Sequence, residues 1–391
     1  MSNNDKGFQE NSKGSIFGRG SAVNTDNRFE RLTYRESDAS FEYRQESFQE
    51  NGEDGTEINP RTKFFKDNSR TIITHNNSPD VGFESSVNVY RGCEHGCAYC
   101  YARPTHEYLG MSAGLDFESK IIVKEDAPAL LRKELMSKKW KPQVLVMSGV
   151  TDCYQPIERK LRLTRGCLEV LAEFRNPIAM ITKNHLITRD KDLLADLARD
   201  NAALAFLSIT TLDSELCNVL EPRTSRPQFR LQAIRELAEA GVPVGVNIAP
   251  VIPGLNDHEI PAILKAAKEA GAKYAGYTML RLPLSVRPIF EEWVKVHRPD
   301  RAEKIIHQIQ DVRGGRATQK DGGEKSRVPR MNDARFGSRM RGEGVLADQI
   351  RQLFKLHCRR EGLNEDDIEL STEAFKRPLE EKPESPQLDL F

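Results

Sequence analysis

Six short apolar runs, each followed by an amphipathic stretch, dominate the middle of this chain. The runs are SSVNVYRG, QVLVMSGV, PIAMITK, LAFLSITTL, VPVGVNIAPV and KYAGYTMLRL. Helical spacing of apolar residues marks LRLTRGCLEVLAEFR, TRDKDLLADLARDN, RPQFRLQAIRELAEAG and NDHEIPAILKAAKEAG between them. After the first gap the runs recur at intervals of roughly 30 to 40 residues, the period of a βα unit. Gly241 and Gly271 fall where helices should stop before the next strand. The pattern predicts a parallel α/β sheet buried on both faces, either doubly wound or a partial barrel.

Polar residues gather at the carboxyl ends of these runs: Ser148, Thr151 and Asp152; Thr182 and Lys183; Ser208, Thr210 and Thr211; Asn247; Arg281. In either architecture that rim is where ligands bind. Immediately after the first run comes VYRGCEHGCAYCYARPTHEYLG, with Cys93, Cys97 and Cys100 at spacings of four and three. Three thiolates suit zinc or iron–sulfur. Structural zinc requires a fourth ligand, for which His95 and His106 are available in sequence. A [4Fe–4S] cube held by three cysteines leaves one iron open to a substrate or cofactor.

The flanks read differently. Residues 1–65 are rich in Asn, Ser, Asp, Glu and Gly without a sustained period and are expected to be largely disordered, with ordered turns only around GRGS and RFE. The expected core spans 66–312. Residues 313–391 read as a basic linker, one helix in VLADQIRQLFKLHCRREG, and a tail. The 391 residues carry 58 basic and 58 acidic side chains, so any anionic partner must be held by a local patch. No apolar run reaches the roughly 18 residues of a membrane span, and no signal-peptide core opens the chain. These features predict a cytoplasmic protein with reduced thiols.

The spacing CxxxCxxC, with Tyr99 before the third cysteine, resembles the signature of the radical S-adenosylmethionine (SAM) enzymes. The likeness extends over roughly residues 60–312 through SGVTDCYQPIE, ITKNHLITRDKDLL, SITTLD, EPRTSRP and APVIPGLND. These resemble the spore photoproduct lyase-like branch, also described as DNA repair photolyase-like. The resemblance implies a partial (β/α)6 TIM-like barrel and a [4Fe–4S] cluster on Cys93, Cys97 and Cys100. S-adenosyl-L-methionine would bind the open iron and be cleaved to a 5′-deoxyadenosyl radical with an electron from an external donor.

By the same resemblance Tyr99 lies at the cofactor, Ser148 and Gly149 contact its amine, and Lys183 and Ser208 contact its carboxylate and ribose. The family's acidic residue at the amine turn is missing, so a hydroxyl, the backbone or Asp152 must serve there. PVIPGLND resembles the segment near the adenine, with Gly254 at positive φ. Cys153 and Tyr101 are the candidates for the radical relay. Cys153 falls about three residues later than the lyase's hydrogen-donating cysteine, whose place Val150 takes.

From Arg313 to Gly342 there are nine Lys or Arg residues against three acids, a pattern suited to phosphates or to a solvated linker. QLDLF, the residues Gln387, Leu388, Asp389, Leu390 and Phe391, matches the pentapeptide by which bacterial repair and replication proteins grip the sliding clamp. Leu388, Leu390 and Phe391 would fill apolar pockets and Gln387 would give a polar anchor. The expected activity is radical chemistry on a modified or damaged base, with DNA and the clamp as partners. The alternatives are radical modification of RNA or a peptide, and a zinc-stabilised clamp-binding protein without catalysis.

Overall fold

Branched and small apolar side chains pack well on a pleated surface buried on both sides, and all six runs contain strands. The computed structural model describes residues 18–21, 62–314, 318–319, 325–326 and 330–378. In chain order the strands used here are β1 (Lys63–Lys66), β2 (Ile73–His75), β3 (Ser85–Val87), β4 (Tyr90–Arg91) and β5 (Lys120–Val123). They continue with β6 (Leu145–Met147), β7 (Ile178–Thr182), β8 (Ala203–Ser208), β9 (Val244–Val251) and β10 (Tyr274–Met279).

The main sheet runs β10-β9-β8-β7-β6-β3-β2. Its six strands from β3 to β10 are mutually parallel, and β2 adds antiparallel to β3 at the edge. The two edge strands do not pair, so the sheet is an open six-unit α/β barrel, as the sequence predicts. Helices Leu163–Phe174, Lys191–Ala198, Pro227–Glu239 and Ile260–Glu269 separate the successive strands. Gly241 and Gly271 end the last two at φ 84° and 104°, where a Cβ would be strained.

Two features lie outside the sequence expectation. A small sheet, β1-β5-β4, forms beside the barrel and carries the start of the cysteine segment. Its strands are too short for periodicity to reveal, and it begins at Lys63, inside the segment assigned to the extension. The break expected after residue 312 also does not separate two units. Helix Val345–Glu361 buries Ile350, Phe354 and Cys358 in the barrel's own core. Further on, Phe375 meets Phe174 with ring centroids 6.3 Å apart. Arg377 donates to the carbonyls of Leu135, Ser137 and Trp140. The apolar stripe of that helix needs a partner, and the barrel's helical layer provides it.

Candidate active site

The cysteine segment leaves β4 at the carboxyl ends of the parallel strands. Its path is fixed by two glycines, Gly92 and Gly96, at φ 78° and 66°. A Cβ on Gly92 would lie 2.9 Å from the His106 ring, and one on Gly96 would lie 2.7 Å from Glu118 Oε2. Backbone bonds hold the rest: Cys93 N to Phe117 O at 2.9 Å, Ala98 N to Leu220 O at 3.0 Å and Cys100 N to Cys97 O at 3.2 Å.

Beneath the loop Arg103 is fully buried. Its Nε and Nη2 donate to Cys97 O at 3.1 and 2.8 Å, and Nη1 donates to the carbonyls of Ala113 and Gly114. Glu118, equally buried, pairs with Arg103 at 2.5 Å. Glu94 accepts from Ile157 N at 2.8 Å and pairs with Arg223 at 3.3 Å. The loop is thus braced by groups that spacing alone does not flag.

Cys93 and Cys97 are buried and Cys100 is partly buried. Burial pushes all three thiols above the ordinary thiol range; Asp152 adds to this at Cys93 and Glu221 at Cys97. Each lies within electrostatic reach of another. Among the described residues no three His, Cys, Asp or Glu side chains converge to hold one metal ion. Zinc requires its ligands within about 2.3 Å of one point, whereas a cube gives each thiolate its own iron. His95 is spent elsewhere, with Nδ1 3.4 Å from Asp152 Oδ2 and Nε2 3.3 Å from Asn184 Nδ2. His106 Nε2 meets Lys120 O at 2.9 Å. The donor set fits a three-cysteine cluster better than a four-ligand zinc site.

Tyr99 is buried, its hydroxyl bonded to Glu221 and 3.4 Å from Thr210 Oγ1. Lys183 places Nζ 5.8 Å from the centre of that ring. The ammonium acts electrostatically on Cys97, Cys100 and Glu221. The structure therefore brings Lys183 to the cysteines. Ser208 is buried at the end of β8, and its carbonyl accepts from Arg230 at 2.8 Å.

Ser148 sits at φ 77° and its Oγ accepts from Cys153 N at 2.8 Å, so part of its hydroxyl capacity closes its own turn. Gly149 O accepts from the Tyr101 hydroxyl at 2.7 Å. Asp152 is committed: it accepts from Thr182 Oγ1 at 2.7 Å and the amides of Lys183 and Tyr154 at 2.8 and 2.9 Å. Burial would raise its pKa, but His95 and these donors hold it down at about 2. Asp152 is a brace between the ends of β6 and β7.

The two relay candidates part company. Cys153 is 2% exposed and packs in the barrel core, with burial holding its thiol well above the ordinary range. Tyr101 is 49% exposed on the rim, with the Arg281 guanidinium 5.7 Å from its ring centre. PVIPGLND brings Ile252 and Leu255 into the apolar cluster that contains Cys97 and Tyr99. Gly254 has φ 77°, as expected. Asn256 in that segment is a structural clasp, donating to Thr210 O and accepting from Ile252 N.

An open parallel barrel with a three-cysteine loop at its mouth defines a class, and residues 87–267 match the model of the Radical SAM superfamily. The superfamily's cofactors are a [4Fe–4S] cluster and S-adenosylmethionine. The barrel itself is similar to that of spore photoproduct lyase complexed with dinucleoside spore photoproduct. That likeness has TM-score 0.51 at 15% identity, over 77% of this chain and 80% of that one, and shows the shared fold. A mutant of that lyase with bound AdoMet and the dinucleoside gives the same TM-score, 0.51.

In sequence the chain is 35% identical over 226 residues to uncharacterised proteins of Mycobacterium bovis and Mycobacterium tuberculosis. The match covers 57% of this chain and 66% of theirs, slightly less than two thirds of those relatives' length. An uncharacterised protein of Methanocaldococcus jannaschii is 29% identical over 52% of this chain and 73% of its own. No helix among the described residues is long and apolar enough to cross a membrane.

Proposed function

We propose that the chain cleaves S-adenosylmethionine reductively and turns the product radical on a modified or damaged base in nucleic acid, DNA in particular. The observation that carries the reading is Lys183, whose ammonium lies over the Tyr99 ring and acts electrostatically on the Cys97 and Cys100 thiols. Cys93, Cys97 and Cys100 would hold the cluster. When bound, it supplies one electron to the sulfonium, releasing methionine and a 5′-deoxyadenosyl radical that abstracts hydrogen from the substrate.

Lys183 gives the methionine carboxylate a charge-assisted partner. Tyr99, Ile252 and Leu255 pack with Cys97 in one buried apolar cluster, which would keep water from that side of the cofactor. Ser148 and Gly149 line the turn at the end of β6, and Ser208 ends β8.

Support for nucleic acid comes from the rim. Among the described residues no carboxylate pairs with Arg281, and its buried Nε has no hydrogen-bond partner. Asp80, the acid that acts on it, is occupied by Arg339 and the Gly337 amide. Exposed Tyr101 stands beside it, and exposed Phe336 lies under the Arg339 guanidinium at 4.5 Å. Cations interleaved with aromatic faces suit phosphates and unstacked bases. The resemblance to a lyase solved with a dinucleoside photoproduct points the same way.

The test is anaerobic reconstitution followed by assay of dithionite-dependent 5′-deoxyadenosine, beside a Cys97→Ala control. Product that disappears in the control supports the reading; a chain that takes up one zinc and no iron overturns it. Products from lesion-bearing DNA, RNA and peptide, compared in the same assay, separate DNA chemistry from its alternatives. Gln387–Phe391 lies outside the described residues, and the sliding clamp is retained as a proposed partner on its sequence.

A further inference from the structure

Far from the barrel in sequence, the GRGS motif, Gly18 to Ser21, lies against the cysteine loop. Arg19 and Ser21 are 8% and 2% exposed. Arg19 Nη1 donates to Glu118 O at 2.8 Å and Nη2 to Thr62 Oγ1 at 3.1 Å. The Gly20 amide donates to Glu118 Oε2 at 3.2 Å.

Gly20 touches the loop itself. A Cβ there would lie 1.7 Å from Gly96 O and 2.9 Å from Ala98 N. No side chain fits in that space, and the obstruction is backbone, which cannot swing aside. Gly96 is reciprocally constrained, with a Cβ there 3.4 Å from Gly20 N. Two glycines from opposite ends of a long sequence interval therefore lie backbone to backbone, between Cys93 and Cys97 on one side and Arg19 on the other.

Glu118 joins the two halves. One oxygen takes Arg103, whose guanidinium holds Cys97 O, and the other takes the Gly20 amide. A buried carboxylate retains its charge only when such donors surround it. Burial raises the Glu118 pKa, while Arg103, Arg19 and the Gly20 amide act against that rise. Thr62 contributes a second tie, contacting Arg19 and, at 3.4 Å, Arg223 Nη1. Arg223 N in turn donates to His95 O at 3.2 Å.

We infer that Gly18–Ser21 is a built part of the cluster site: a cover that positions the loop of Cys93, Cys97 and Cys100 and shields it from water and oxidants. Arg19 and Gly20 are positioning residues that act through Glu118 and the Gly96 backbone. The inference depends on the three cysteines holding a cluster and is independent of what the enzyme acts on. It also gives the GRGS motif a role that catalysis at the mouth does not require.

The test uses the full chain with Gly20→Val, Arg19→Ala and Arg19→Lys. In protein without a cluster, hydrogen exchange is followed in a peptide covering Cys93–Cys100 and in peptides from β7 and β8. In reconstituted protein, loss of the cluster's visible absorption is timed in air. Gly20→Val and Arg19→Ala should speed exchange in the cysteine peptide at least tenfold, leave β7 and β8 unchanged, and bleach several-fold faster. Arg19→Lys should fall between them and the unaltered chain. Should Gly20→Val fail to fold, Arg19→Ala decides alone, since it adds no atoms. Unaltered loop exchange and bleaching in Arg19→Ala would overturn the inference, as would an equal rise in exchange throughout the barrel.

Discussion

Lys183 and Arg103 are both cations beside the cysteine loop, but their surroundings give them different tasks. Lys183 is partly buried and faces an aromatic ring, so its charge remains available to a ligand. Lys183→Ala should weaken S-adenosylmethionine binding roughly ten- to a hundredfold, the worth of one charge-assisted hydrogen bond. Iron content should not change, and calorimetric titration of the loaded protein checks both points. An unaltered affinity would assign the carboxylate contact elsewhere. Arg103 is wholly enclosed, with every contact made to protein. Arg103→Ala leaves Glu118 as an incompletely paired buried charge, a change that costs about 3–5 kcal/mol. Urea unfolding of the cluster-free protein should show that loss, and Arg103→Met should lose less if Arg19 and Gly20 keep Glu118 satisfied. Retained stability in Arg103→Ala would mean that Glu118 takes up a proton.

The elements show which sequence signals carry weight. The six parallel strands are legible as apolar runs set between four helices that are long enough to display their period. Helices Val286–His297 and Ala302–Val312 are amphipathic too, but they follow the last strand, where the βα alternation that marks the others ends. The three cysteines were legible from spacing, and Lys183 from its place at a strand end. Glu118, Arg103 and Glu221 were not, because a buried ion pair is a meeting of distant residues that no local pattern encodes. The helix Val345–Glu361 is legible from its apolar stripe, but the stripe does not say what it packs on. Phe354 is 7% exposed and its ring lies 4.8 Å from that of Tyr277 on β10. Phe354→Ala should therefore destabilise the barrel itself by about 3–5 kcal/mol. Denaturation followed by near-ultraviolet circular dichroism would show one shifted transition. A separate early transition of the helix alone, with the barrel midpoint unchanged, would mean that it is an appendage.

At the scale of the whole molecule, the mouth and residues 371–377 lie at opposite ends of the parallel strands. The cysteine loop, Lys183 and Arg281 lie at the carboxyl ends of the parallel strands. Residues 371–377 are anchored at the other end: Ser371 N bonds Asn201 O, which leads into β8. Lys376 N bonds Phe174 O and Arg377 caps Trp140 O, which precede β7 and β6. From residue 378 to Gln387 the chain has a reach of at most about 30 Å at roughly 3.3–3.6 Å per residue. A sliding clamp gripping QLDLF would thus be tethered below the barrel and leave the mouth open to nucleic acid. Deleting Gln387–Phe391 should abolish clamp binding in a fluorescence titration and leave 5′-deoxyadenosine formation unchanged. The same deletion should lower turnover of lesion-bearing DNA only when clamp is loaded on it, the outcome expected of a tether that acts through local concentration alone. Unchanged clamp affinity after deletion would remove the clamp as a partner. Loss of cofactor cleavage would show instead that these residues serve the barrel.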